Sequence, residues 1–282
     1  MVRARTVVAI LAVGALAAPA QAATAPSPPA RIVSLSPTAT EDLFAINAGT
    51  QVIAVDDQST YPKAAPRTKL SGFKPNVEAI ARYKPDLVVI ANDTGKLAAQ
   101  LKKLKIRVLI QPAATDLAQV YAEITQLGAA TGHRPKAARL VASMQSRIAA
   151  IVASVPARAT PLTYYHELDP TFYSVTSSTF IGKIYSLLGL KNIADDATGA
   201  ESGYPQLSSE AIVAKNPSLV FLADTKCCQI NAAAVAARPG WSNIAAVTNG
   251  GVVELDDDIA SRWGPRVVSF LKTVADRVAG LK

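Results

Sequence analysis

Residues 78–88 have the sequence EAIARYKPDLV and residues 210–220 have the sequence EAIVAKNPSLV, so one pattern occurs twice, 132 positions apart (210 minus 78). In each copy a glutamate opens a short helical segment, a proline ends it, and an apolar run that predicts a buried strand begins at once. A chance match would not easily keep both the spacing and the order of elements, so we interpret the pair as an internal duplication. The chain is therefore predicted to form two lobes of one kind.

Short β-branched runs alternate with longer helical patterns on both sides of the two copies, which is typical of α/β units around a parallel sheet. The first half carries predicted strands at 32–35, 52–55, 87–90 and 108–110, and predicted helices at 39–46, 76–83, 96–104 and 116–131. The second half carries predicted strands at 162–166, 219–222 and 252–255, and predicted helices at 180–188, 209–214 and 266–279. The predicted fold class is α/β, with two similar lobes whose mostly parallel sheets are flanked by helices.

One long amphipathic helix is predicted between the halves. Pro135 suits its first turn, Pro156 stops it, and apolar residues recur at i, i+3 and i+4 spacing along one face. At about 1.5 Å per residue this helix reaches about 30 Å, the diameter of a small domain. We predict an N-terminal lobe at 31–134, a spanning helix at 135–156 and a C-terminal lobe at 157–282, joined too stiffly for a wide hinge motion.

The first 30 residues predict export. Arg3 and Arg5 precede an apolar run, and small residues up to Ala22 suit a signal peptidase, so we expect a signal peptide at 1–22 and a loose linker at 23–30. No cysteine follows the apolar run, so no lipid-attachment site is expected, and no other stretch approaches the roughly 20 apolar residues of a membrane helix. We expect a soluble protein of the periplasm or the extracellular space.

The distribution of charge argues against nucleic-acid binding, and the two cysteines leave their own oxidation state open. The formal charge is +8, but the basic residues are scattered and no recognition motif is present, so nucleic-acid binding is not expected. The two cysteines, Cys227 and Cys228, are neighbours. A vicinal disulfide and two reduced thiols are both compatible with this spacing.

A ligand cleft is predicted where the two lobes face each other, because ligands of open parallel sheets bind beyond the carboxyl ends of the strands. The candidate residues lie at predicted strand ends and mostly offer hydroxyl, amide, carboxylate or aromatic groups: Ser36, Pro37, Thr38, Tyr61, Asn92, Asp93, His166, Asp258, Arg262 and Trp263. Such a set suits a bulky polar ligand held by stacking and hydrogen bonds. The alternative for each is an exposed loop residue or a helix cap.

The sequence predicts no catalytic residue and no metal site. The sequence has no G-x-S-x-G turn, and its only histidines, His133 and His166, lie near neither a plausible nucleophile nor a set of zinc ligands. His133 is expected to be a solvated residue at a helix end, whereas His166 either contacts ligand or caps its strand. No glycine-rich phosphate loop is present, and we expect a binding protein rather than an enzyme, with no cofactor of its own.

From Arg31 onward the chain resembles the helical-backbone class of periplasmic binding proteins, which serve ABC importers of cobalamin, ferric siderophores and haem. The resemblance is carried by RIVSLSPTATE at 31–41, and by NVEAI at 76–80 followed by KPDLV at 84–88. It implies that Glu78 and Glu210, one in each lobe, dock on arginines of a dimeric transmembrane permease, where like charges orient the receptor on a two-fold symmetric partner. The alternative is that each glutamate only favours a helix start.

Within that class the cobalamin-binding members are the nearest resemblance, through DDDIASR at 256–262 and PR at 265–266, where Asp258 falls on a ligand-contacting aspartate. The tryptophans of their first lobe have no clear counterpart here, because Gly72, Phe73 and Asn92 occupy those regions. Stacking would then come from the remaining aromatic candidates, Phe73, Tyr61, Tyr204 and Trp263.

The resemblance implies an extracytoplasmic solute-binding protein, expected to act as a monomer, that binds a large metal chelate and delivers it to a permease. Cobalamin is favoured. Haem, with iron held by Tyr61, His166 or Tyr204, and a ferric siderophore, with its anion at Arg262, are the alternatives within the class. A hydrolase or lyase that uses the same cleft is the alternative from another class.

Overall fold

Two parallel sheets organise residues 27–281, which are the residues that this computed structural model describes. The predicted signal peptide lies outside the described residues. In the first sheet the strands lie in the order 67–70, 52–56, 32–35, 87–90 and 107–110, and in the second in the order 191–192, 163–167, 219–222 and 252–254. Every pairing within the two sheets is parallel. The predicted fold class of two α/β lobes is confirmed.

The N-terminal sheet and its helices precede the long helix in the chain. Its strands are β1 Ile32–Leu35, β2 Val52–Asp56, β3 Arg67–Leu70, β4 Leu87–Ile90 and β5 Arg107–Ile110. Its helices are α1 Pro37–Ala45, α2 Val77–Ala81, α3 Leu97–Lys103 and α4 Leu117–Thr131. The spanning helix follows as α5, Arg134–Ser154, with Pro135 in its first turn and Val155 as its C-cap.

The second sheet repeats the plan with shorter helices. Its strands are β6 Thr163–Glu167, β7 Lys191–Asn192, β8 Leu219–Leu222 and β9 Val252–Glu254. Its helices are α6 Phe180–Ser186, α7 Ser209–Lys215, α8 Thr225–Cys228, α9 Ala232–Ala236, α10 Ala245–Thr248, α11 Asp257–Ala260 and α12 Val267–Gly280. Strands β3 and β7 and helices α8 to α11 were not predicted from the sequence, because they are short and carry no clear hydrophobic period.

The duplicated pattern folds in the same way in both lobes. Helices α2 and α7 begin at Asn76 and Ser208, whose side chains accept hydrogen bonds from the amides of Ala79 and Ala211. Before each proline the chain takes a left-handed conformation, at Lys84 (φ 49°) and at Asn216 (φ 44°). The left-handed residue stops the helix, and the buried strands β4 and β8 begin shortly after it.

One hydrophobic core runs through both lobes. It includes Leu43 of α1, Met144 of α5, Tyr164 of β6 and Leu271 of α12, all nearly or fully buried. Helix α5 packs on α4 of the first lobe and on α12 of the second, so the spanning helix is held by both lobes. None of the described helices is long and apolar enough to cross a membrane.

The described end of the predicted linker is fixed rather than loose. Pro29 is buried, and its carbonyl oxygen accepts a hydrogen bond from Gln51 Nε2 at 2.7 Å. The amides of Ala30 and Arg31 both donate to the Asp86 carboxylate, at 2.9 and 2.8 Å. Residues 29–31 are therefore held against the first lobe.

A buried ion pair ties the first lobe to the second. Glu41 of α1, whose side chain is 1% exposed, accepts hydrogen bonds from Arg266 Nε at 2.8 Å and from Arg266 Nη2 at 2.6 Å. Arg262 Nη1 donates to the same carboxylate at 3.1 Å. Both oxygens of the Glu41 carboxylate accept hydrogen bonds from guanidinium groups. These hydrogen bonds, together with the attraction between opposite charges, offset the cost of burying the carboxylate.

We predict that Glu41→Gln lowers the free energy of unfolding by about 3–5 kcal/mol, because it leaves two guanidinium groups in a buried seam without their shared carboxylate. Urea denaturation measures this loss. The matched control is Asp276→Asn, which removes an exposed pair with Lys272 and is expected to cost at most about 1 kcal/mol. Equal effects of the two substitutions would contradict the assignment of Glu41 as a tie between the lobes.

Candidate ligand-binding cleft

A cavity of about 320 Å³ lies between the lobes, at the carboxyl ends of the first sheet. The first lobe contributes residues at or just after the ends of β1, β2, β3 and β4, and the second lobe contributes residues of the segment 258–263. This is where a ligand of a parallel sheet is expected. The shared cleft between facing lobes is thus present.

A second cavity of about 310 Å³ adjoins the first. It is lined by residues 113–115 of the first lobe and by residues 178–181 and 201–204 of the second. Ser261 and Trp263 line both cavities, so the two form neighbouring parts of one cleft. Ser178, Thr179 and Ser261 were missed from the sequence, because Ser and Thr in loops carry no signal that separates a ligand contact from a turn.

Nine of the twelve predicted ligand residues line this cleft. Eight line the first cavity, namely Ser36, Pro37, Thr38, Phe73, Asn92, Asp258, Arg262 and Trp263. Tyr204 lines the second. Asp56 and Gln58 also line the first cavity. Asp56 was missed, although its position at the end of β2 was a signal that could have found it.

Exposed aromatic rings face the cleft from both lobes. Phe73, from the first lobe, is 76% exposed, and Tyr204, from the second, is 51% exposed. Trp263 lies at the boundary between the two cavities. Apolar rings that are left this exposed in a concave site offer stacking surface to a large ligand.

Arg262 is engaged by the protein itself. Besides Glu41, its guanidinium donates to Asp258 Oδ1 at 2.8 Å and to the carbonyl oxygen of Gln58 at 3.0 Å. Thr60 Oγ1 donates to Asp258 Oδ2 at 3.3 Å from the other lobe. This network crosses the cleft, so it fixes one end of the cleft as well as lining it.

Tyr61 and Asp93 lie outside the two cavities. The guanidinium of Arg266 is 4.3 Å from the centre of the Tyr61 ring, so this aromatic side chain packs on the seam between the lobes. Asp93 Oδ1 accepts a hydrogen bond from the amide of Ala98 at 2.8 Å, at the start of α3. Asp93 thus lies where a helix cap would lie, which is the alternative to ligand contact considered for each candidate residue.

His166 does not reach the cleft, which corrects the prediction that it contacts ligand. Its side chain is completely buried, and its Nδ1 lies 2.8 Å from the hydroxyl oxygen of Tyr185 on α6. Burial lowers the pKa of His166 to about 3. The position of His166 near the end of β6 predicted a side chain at the carboxyl end of the sheet, but helix α6 packs over the imidazole ring.

Cys227 and Cys228 are joined as a vicinal disulfide within α8. The turn they occupy is held by Asp257, whose carboxylate accepts hydrogen bonds from the amides of Thr225, Lys226 and Cys227. Lys226 Nζ in turn lies 2.7 Å from Asp256 Oδ1 and 3.2 Å from Asp258 Oδ2. The disulfide turn is therefore connected to a residue of the cleft.

No group of three or more His, Cys, Asp or Glu side chains within residues 27–281 is placed to hold a metal ion.

Comparison with known proteins identifies the family. Residues 32–259 match the family described as periplasmic binding protein. The chain belongs to the periplasmic binding protein family. Two relatives support the assignment. An uncharacterized ABC transporter substrate-binding lipoprotein of Bacillus subtilis, YvrC, is 33% identical over 259 residues, covering 89% of this chain and 80% of the relative. A cobalamin-binding protein of Halobacterium salinarum is 34% identical over 264 residues, covering 90% and 71%.

The same family is found among solved structures. The periplasmic vitamin B12 binding protein of Vibrio cholerae superposes with a TM-score of 0.71 at 25% identity, covering 90% of this chain and 98% of the other. The resemblance to this family that the sequence motifs indicated is confirmed. Proteins of the family bind solutes.

The two glutamates of the duplicated motif occupy equivalent places in this periplasmic binding protein. Glu78 lies in the first turn of α2 and Glu210 in the first turn of α7, and both side chains are exposed. Each helix begins from the carboxyl-end side of its sheet, because α2 and α7 lead into the amino ends of β4 and β8. The two negative charges thus lie on the side of the lobes that carries the cleft.

We predict that His166 makes the protein sensitive to acid. In the unfolded chain a histidine is protonated near pH 6.5, but in the folded protein His166 is protonated only near pH 3. The stability that the neutral, buried His166 contributes is therefore fully present above pH 6.5 and is lost as the pH falls toward 3. Between pH 7 and pH 4 the loss is on the order of 3 kcal/mol. In His166→Gln this part of the pH dependence should disappear, as measured by urea denaturation at both pH values.

Burial raises the pKa of Asp224 to about 7, so Asp224 changes the free energy of unfolding in the opposite direction over the same pH range. This effect is present in both the wild type and His166→Gln. The quantity to compare between them is therefore the difference in free energy of unfolding between pH 7 and pH 4. His133→Gln controls for the loss of a histidine at a partly exposed helix end. An equal change in the pH dependence of both variants would contradict the prediction.

Proposed function

We propose that this chain is the extracytoplasmic substrate-binding protein of an ABC importer and that its ligand is a corrinoid, with cobalamin favoured. The observation that carries the proposal is the pair of adjoining cavities between the lobes, with Phe73 exposed on one wall and Tyr204 on the other. A broad, flat ligand with polar edges suits such a cleft. The cobalamin-binding relative from Halobacterium salinarum supports the same ligand class.

The charges of the first cavity favour a ligand without anionic groups at this position. Arg262 and Lys226 are the cations nearest to Asp258, and both are already paired with carboxylates. A ferric siderophore that relies on arginine would have to break the ties of Arg262 to Glu41 and Asp258. Cobalamin carries neutral amides around its ring, and it can bind without opening these pairs.

Haem remains the runner-up within the class, and Tyr204 is the observation that favours it. Its phenol is exposed in the second cavity, where it can reach an iron ion, whereas His166 is buried and Tyr61 packs on Arg266. A hydrolase or lyase acting in the same cleft is the alternative from another class. Saturable binding without conversion of the bound compound separates a receptor from that alternative.

Glu78 and Glu210 are proposed to dock the receptor on the permease. Their exposed positions in equivalent first turns place one negative charge on each lobe, which matches a dimeric partner with two-fold symmetry. Delivery to a permease also requires export, for which the apolar run after Arg3 and Arg5 is the proposed signal. The permease dimer and the transported ligand are the partners of a monomeric receptor in this proposal.

We predict that the purified protein binds one equivalent of cyanocobalamin, measured by isothermal titration calorimetry. Phe73→Ala removes the most exposed ring of the cleft and should weaken binding roughly 30-fold, the effect of a central aromatic contact worth about 2 kcal/mol. Leu104→Ala removes another exposed apolar side chain, 51% exposed and outside both cavities, and serves as the control. Absence of heat, together with an unchanged melting temperature, would reject cobalamin.

We predict that charge reversal of both docking residues, Glu78→Lys with Glu210→Lys, abolishes uptake while leaving cyanocobalamin affinity intact. The substitutions put like charges opposite the arginines of the permease. Uptake of radiolabelled cobalamin by cells that carry the receptor and its permease measures the first effect, and calorimetry measures the second. Reversal of another exposed acid, Asp276→Lys, is the control, and undiminished uptake by the double variant would refute docking through these residues.

A further inference from the structure

A buried carboxyl group lies at the floor of the first cavity without a complete set of partners. Asp56, the last residue of β2, lines the cavity and is 2% exposed. Its Oδ1 atom has no hydrogen-bond partner among the described residues. Buried polar atoms in folded proteins are nearly always hydrogen-bonded, so this oxygen calls for a partner.

The surrounding protein only partly compensates the burial. Burial raises the pKa of Asp56, and hydrogen bonding from Ser59 acts against that rise without cancelling it. The nearest cation of the cavity, Arg262, is held by Glu41, Asp258 and the carbonyl oxygen of Gln58. Arg262 therefore does not supply the missing donor to Asp56 Oδ1.

Gly72 keeps the space beside this carboxyl group open. A Cβ atom at position 72 would lie 2.9 Å from Asp56 Oδ2 and 2.6 Å from the carbonyl oxygen of Leu35, closer than real Cβ atoms come. Gly72 also lines the cavity. Gly72 therefore places no side chain of its own between the cavity and the Oδ2 edge of the Asp56 carboxyl group.

The chemistry of the floor selects for donors. A carboxylate accepts hydrogen bonds and repels other carboxylates, whereas the amide side chains of Asn92 and Gln58, which line the same cavity, can both donate and accept. The primary amides at the edge of a corrinoid present N–H groups. Haem presents carboxylates on its propionate side chains instead.

We propose that Asp56 is a specificity-determining residue that accepts a hydrogen bond from an N–H group of the ligand, a primary amide or an ammonium, and disfavours ligands that place a carboxylate there. The assignment deepens the proposed function, on which it rests for the identity of the ligand. The proposed function requires only that the ligand binds in the cleft. This assignment requires in addition that Asp56 Oδ1 accepts a hydrogen bond from an N–H group of the ligand.

The experiment compares wild type, Asp56→Asn and Asp57→Asn by calorimetry with three probes: cyanocobalamin, ferrioxamine B, which carries amide N–H and ammonium groups, and haemin. Asp57 is the exposed neighbour of Asp56 and does not line the cavity, so its variant is the matched control. Asp56→Asn should weaken cyanocobalamin binding about ten-fold or more, the effect of losing a charged acceptor. Asp57→Asn should leave binding unchanged. Thermal unfolding without ligand checks the fold of each variant, and Asp56→Ser replaces Asp56→Asn if the latter does not fold.

The outcomes separate this assignment from the proposed function. Cyanocobalamin binding that is unaffected by Asp56→Asn overturns the assignment and leaves the cobalamin receptor standing. Failure to bind cyanocobalamin, together with binding of ferrioxamine B that depends on Asp56, rejects cobalamin and supports the assignment. Tight binding of haemin by the wild type, or no binding of any probe, overturns the assignment.

Discussion

The contact of Glu41 with Arg262 and Arg266 is the constraint on which the cleft depends. It joins α1 of the first lobe to the segment of the second lobe that lines the first cavity. Removing three ionised groups from water is costly, and the arrangement is tolerable only because each carboxylate oxygen meets a guanidinium at hydrogen-bonding distance. The position of one cleft wall is thereby set by the same contact that holds the lobes together.

The rest of the architecture limits how far the lobes can move. Helix α5 packs on both α4 and α12, and one hydrophobic core continues from α1 through α5 to α12. Opening the lobes would expose parts of that core as well as the Glu41 seam. Ligand capture in this protein is therefore expected to proceed by small adjustments of loops and side chains at the cleft, such as Phe73 and Tyr204, which are already exposed.

The sequence predicted most of the fold and much of the cleft, and the failures have physical causes. Strands at 32–35, 87–90 and 219–222 are fully buried apolar runs, and their bounds match the structure. Strand β3, with its polar RTKL sequence, lacks such a run. His166 was misplaced because strand position does not reveal which helix covers a side chain. Arg262 does line the first cavity, yet its partner Glu41 lies 221 positions away, and no local pattern reports such a pairing.

The seam and the selectivity of the cleft follow from one distribution of charge. Arg262, Arg266 and Lys226 are all used to bind carboxylates of the protein, two of them across the lobes. A cleft whose cations serve this purpose keeps acceptor groups for the ligand, among them the unpartnered oxygen of Asp56. Anionic ligands then face a double cost, because they must displace a structural carboxylate to reach a cation and must approach another carboxylate at the floor. A ligand with a neutral, donor-rich edge meets neither cost.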